Sequence, residues 1–134
     1  MNEPIIKFEN EEQIEKCLRE WQHRLFLNDW IIKVYLVDCI DNEDDCMGKV
    51  DYEREYLNAN IRIKKELNKE TVENLCHEKI LVHELMHLVI PQTENPETIE
   101  LLYWNVKQHQ IIERMAKSLI MSKYDLPFDF FCSK

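Results

Sequence analysis

The sequence predicts a single α+β domain over residues 1–134, and three observations carry that prediction. Apolar residues recur at helical spacing in three separated segments, and between the first two lie short stretches with strand-like apolar patterning. The composition, 45% hydrophobic and 32% charged over 134 residues, suits one core burying roughly two thirds of the surface an unfolded chain exposes.

The first helix is announced by Asn10 followed by Glu11, Glu12 and Gln13, a capping-box pattern, with Ile14, Cys17, Leu18, Trp21 and Leu25 on one face as far as Leu27. Asn28 and Asp29 break it. WIIKVYLV, from Trp30 to Val37, is β-branched and aromatic and apolar on both faces, which predicts a strand well inside a sheet. The acidic stretch DCIDNEDDC, residues 38–46, lacks the glycine and glutamate of a calcium loop in the required register, and it reads as a solvated turn. GKVDYE and LNANIRI then alternate apolar and polar residues, predicting half-buried antiparallel neighbours.

A second helix is expected from about Lys69 up to Pro91, apolar almost all round in its second half and therefore central. Asn95, Pro96 and Glu97 read as the cap and first turn of a third helix running to about Lys123. Its inward stripe is Ile99, Leu102, Val106, His109, Glu113, Ala116 and Ile120. The tail PFDFFCSK is expected either to dock on the core or to fold back over the site.

Charge and composition exclude several functions. Acidic residues outnumber basic ones 26 to 17, a formal charge of -9, which opposes a nucleic-acid partner. The amino terminus lacks the basic start and apolar core of a secretory signal, and the apolar stretch from Ile80 to Ile90 is too short to span a bilayer. A cytoplasmic protein without membrane contact is expected. Gly48, the one glycine, leaves no Gly-rich phosphate loop. The five cysteines form no CxxC pair and read as free thiols.

Chemistry concentrates in HELMH, residues 83–87. Two histidines four apart on a helix have Cβ atoms about 6 Å apart on one face, so His83 and His87 can reach a single zinc ion. Glu84 lies about 100° round the helix, placed to take a proton from a water on that ion as the water attacks a carbonyl. A third protein ligand is needed, and the stripe of the last helix offers His109 and Glu113, four residues apart.

HELMH on a helix preceded by a small sheet and followed by an acid-bearing helix resembles the zincin metallopeptidases. GKVDYEREYLNANIRI, ILVHELMHLVI and IIERMAKSLI resemble the small phage and bacterial ImmA/IrrE-like metallopeptidase domains. Ile90 and Thr93 stand where metzincins have glycine and histidine, so the resemblance is to the gluzincin branch. It implies a zincin-like domain in which Glu113 is the third zinc ligand and His109 a neighbour that hydrogen-bonds the transition-state oxyanion. It also implies an edge strand, assigned to LNANIRI, that holds a protein or peptide substrate extended. The activity implied is peptide-bond hydrolysis with Glu84 as base. The alternative is a zincin fold that keeps its metal but serves as a catalytically silent regulatory module.

Overall fold

The computed structural model describes residues 3–43, 46–67, 76–90, 96–127 and 129–131. In chain order the described elements are α1 (Glu11–Arg24), β1 (Ile31–Val37), β2 (Gly48–Glu53), β3 (Asn58–Lys64), α2 (His77–Val89) and α3 (Ile99–Tyr124), with a 3-10 turn at Arg54–Tyr56. The α+β class is as expected. Among the described residues no helix is long and apolar enough to cross a membrane, and Cys17, Cys39, Cys46 and Cys76 are free thiols.

α1 starts where its cap predicts, the backbone N–H of Gln13 donating to Asn10 Oδ1 at 2.8 Å. It buries Ile14, Cys17, Leu18 and Trp21. The sheet order is β1-β3-β2, with β1 parallel and β2 antiparallel to the central β3. Two expectations are corrected here. β1 is an edge strand, because among the described residues it pairs with β3 alone, and Ile31 and Tyr35 on its second face meet solvent; strand-forming side chains had read as burial. LNANIRI cannot add a substrate strand, since both edges of β3 are already paired. The edge beside the HELMH helix belongs to β2.

One face of the sheet, Ile32, Ala59, Ile61 and Ile63 with Val34 and Val50, packs into the core. The helical layer completes it, α2 burying Ile80, Leu81, Val82, Leu85, Met86 and Leu88 nearly all round. Each such side chain contributes about 1.5–3 kcal/mol relative to exposure. α2 begins later than the sequence suggests: Cys76 is extended and caps it, its sulfur accepting from Lys79 N at 3.3 Å. The expected turns from Lys69 to Leu75, and the cap at Asn95, lie outside the described residues. Thr98 caps α3 instead, accepting from Leu101 N at 3.1 Å.

The start of α2 is anchored by the chain's first residues. The N–H groups of His77 and Glu78 donate to the carbonyls of Ile6 and Ile5 at 2.9 and 3.1 Å, satisfying donors a helix leaves open. Glu78, fully buried, accepts from Ile5 N (2.9 Å), Trp21 Nε1 (2.7 Å), Lys123 Nζ (2.9 Å) and Tyr124 Oη (2.6 Å). One carboxylate thus joins the amino-terminal segment and all three helices. Burial pushes its pKa up, but these donors outweigh burial and hold it below the usual carboxylate value.

α3 divides in two. Its inner half buries Ile112, Ala116 and Ile120. Between Ile99 and Ile111 no residue is buried, and Ile99, Leu102, Trp104 and Val106 are exposed. In the tail, Phe131 is buried in the main core cluster; Cys132 lies outside the described residues.

Candidate metal centre

Helical spacing puts Lys79, His83 and His87 on one face of α2, and α3 presents His109 and Glu113 to that face. The helices pass antiparallel: Lys79 meets Glu113, and His83 meets both Glu113 and His109. His83, His87 and His109 bring one nitrogen each within 4.8 Å of the others, a group that can hold a metal ion.

The protonation pattern suits ligation. Glu113 Oε1 lies 2.9 Å from His83 Nδ1; an ionised carboxylate only accepts, so the proton sits on Nδ1 and Nε2 of a neutral ring carries a lone pair. That Nε2 is 3.1 Å from Nε2 of His109. Two nitrogens sharing a tetrahedral zinc at about 2.0–2.1 Å would be about 3.3 Å apart. The His83–His109 pair is thus already at ligand spacing, and His87 completes a group whose nitrogens lie within 4.8 Å of one another. Burial, then the neighbouring His83 and His109, pushes the His87 pKa down to about 4, and burial with His83 lowers that of His109. Both favour the neutral imidazole a metal requires.

The third member of this group is His109, while Glu113 sits behind His83. The two nitrogens of an imidazole point apart, so a carboxylate bonded to Nδ1 faces away from an ion on Nε2. Both Glu113 oxygens also accept from Lys79 Nζ, at 3.0 and 2.8 Å. Burial raises the Glu113 pKa, but the His83 and Lys79 hydrogen bonds and the lysine charge prevail and bring it to about 2.

Glu84 is 7% exposed and, among the described residues, takes no hydrogen bond. Burial chiefly, with Glu113 adding to it against His83 and Lys79, pushes its pKa up to about 7. It lines both halves of an open cleft together with Gly48, His83 and His109. One half, about 340 Å³, continues to Cys46, Met47, Lys79 and Glu113; the other runs past Val50 and Tyr52 to His87.

Three supports were not read from the sequence. Gly48 lets β2 lie on the helix: a Cβ there would stand 2.5 Å from Ile80 Cγ2 and 3.2 Å from Glu84 Oε2. Gly48→Ala is therefore expected to cost about 1–3 kcal/mol by overpacking, measured as a lower urea midpoint at unchanged slope. Arg54 donates to the carbonyls of His87 and Leu88 at 3.0 and 2.9 Å, a cation closing the carboxyl end of α2 beside its second histidine. Its guanidinium lies over the Tyr52 ring, 4.8 Å from the centroid. Lys79 is the third, and the signal was legible: a lysine one turn before His83 in an apolar run.

No family model, curated protein or solved structure matches the chain.

Proposed function

We propose that the chain is a zinc-dependent peptidase of zincin type, in which His83, His87 and His109 hold the ion and Glu84 is the general base. The observation that carries this reading is a largely buried carboxylate, without a hydrogen bond among the described residues, that opens onto a cleft beside three converging imidazoles. A carboxylate so largely withdrawn from water, with only the cleft to serve it, is costly unless a proton or a cation meets it there. A zinc ion in such a triad supplies Lewis acidity, acidifying water and polarising a carbonyl oxygen. Glu84 would take on a carboxylate oxygen the proton of the water that attacks the carbonyl carbon, and give it to the amine nitrogen as the C–N bond breaks. His83 is kept in one tautomer by Glu113. Above them the outer edge of β2 offers backbone groups to an extended peptide.

The ligand assignment is tested by zinc affinity, measured by chelator competition on His109→Ala and Glu113→Ala side by side. His109→Ala should lose more than the roughly 100-fold that bounds losses on removing an outer partner, whereas Glu113→Ala should stay within that bound. The reverse order would make Glu113 the ligand, as the gluzincin resemblance implies. A parent protein free of zinc affinity would sink the metal-centre reading altogether.

A further inference from the structure

We propose that Lys79 is a positioning residue of this centre: it clamps Glu113 against His83 Nδ1 and so aims the opposite nitrogen of that ring at His87 and His109. The inference rests on the metal-centre reading above and adds to it a residue that touches neither ion nor substrate.

Lys79 is buried, its side chain 4% exposed, while that of Glu113 is 31% exposed. An ammonium withdrawn from water is expensive, and the bond to Glu113 offsets that expense only in part. A bridge serving merely to join α2 to α3 could be exchanged for apolar side chains at little loss, often with a gain. What distinguishes this pair is its third member. Glu113 Oε1 accepts from Lys79 Nζ at 3.0 Å and from His83 Nδ1 at 2.9 Å, while Oε2 takes the same ammonium at 2.8 Å. With both oxygens pinned, the carboxylate cannot rotate away from the imidazole. His83 itself is mostly enclosed, its side chain 12% exposed, so ring direction is settled by this bond and its neighbours.

The spacing makes the arrangement self-consistent. Lys79, His83 and His87 follow at intervals of four along α2, and His109 and Glu113 at the same interval along α3. Because the helices run antiparallel, the clamp occupies one level and the ligands the next. A shift of either helix by one turn would remove the clamp and separate the ligands together.

The test compares parent, Lys79→Met, Lys79→Arg, Glu113→Leu and the double variant Lys79→Met with Glu113→Leu. Chelator competition gives zinc affinity, the visible spectrum of the cobalt-substituted protein reports the ligand set, and thermal unfolding without metal reports the fold. Lys79→Met should lower affinity about 10- to 100-fold, the range for partners one step from a metal, with the cobalt spectrum still that of three nitrogen ligands. Lys79→Arg should recover most of the loss. The double variant should fold at least as stably as Lys79→Met and bind no more weakly than Glu113→Leu alone, since both changes remove one device.

Parental affinity in Lys79→Met would overturn the proposal while leaving the metal centre intact. So would a double variant of parental affinity, which would make the pair an interhelical bridge and nothing more. A Glu113→Leu protein whose cobalt spectrum loses a ligand would overturn it by placing Glu113 on the ion. A parent that holds neither zinc nor cobalt would sink the metal centre and this proposal together.

Discussion

Glu84→Gln is expected to keep the parental zinc content and unfolding temperature while losing 100- to 10,000-fold in peptide hydrolysis, the usual contribution of a positioned base. The amide preserves the shape that fits beneath Gly48, where Glu84 Oε2 would stand 3.2 Å from an added Cβ. It also leaves the three imidazoles untouched. Stopped assays on a peptide library with parent and variant, each zinc-loaded and verified by elemental analysis, make the comparison. A variant as active as the parent would remove Glu84 from the chemistry, and a parent inert throughout would favour the silent regulatory module.

The second large effect concerns stability. Glu78→Ala is expected to lose about 3–5 kcal/mol, the range for removing one partner from a buried ion pair, because Lys123, 9% exposed in its side chain, is left with a single carboxylate among the described residues, Glu20 at 3.2 Å. Set against a total stability of about 5–15 kcal/mol for an ordinary domain, that is a large fraction.

The pH dependence follows from the same group. The folded-state pKa of Glu78 lies below its unfolded value of 4.5, so between the two the unfolded chain binds more protons. Its stabilisation is therefore complete above that value and is lost as pH falls through the folded pKa. Thermal unfolding from pH 7 downward should show the parent weakening below about pH 4.5, with a shallower slope in Glu78→Gln. Equal slopes would mean that other carboxylates dominate acid unfolding.

Local chemistry was legible and relative placement was not. The cap at Asn10, the alternation in GKVDYE and the placing of both HELMH histidines on one helix face depend on residues within a turn or two of each other, and the structure has each. The choice between His109 and Glu113 depends on the axial offset of α3 against α2, and both lie on the same stripe. No spacing within α3 encodes that offset; the Lys79–Glu113 contact across the helix pair fixes it. Strand order was hidden for a related reason. Ile31 and Tyr35 look equally apolar beneath a second layer or against water, no residue type marks which backbone edge is paired, and the Gly48 approach that brings β2 onto α2 is a relation between two segments. Arg54 was silent because its hydrogen-bond acceptors on α2 are backbone carbonyls, which leave no mark on composition.

The divided α3 gives ion binding a mechanical side. Above Ile112 the helix has exposed apolar side chains and no buried residue to press it onto the body of the protein. His109 stands in that outer half, 26 residues beyond His83. A ligand bond at that point would act as a cross-link, closing a chain segment whose entropy otherwise favours separation. Reciprocity then applies: an ion that tethers the outer arm is itself held more tightly by anything that steadies the arm.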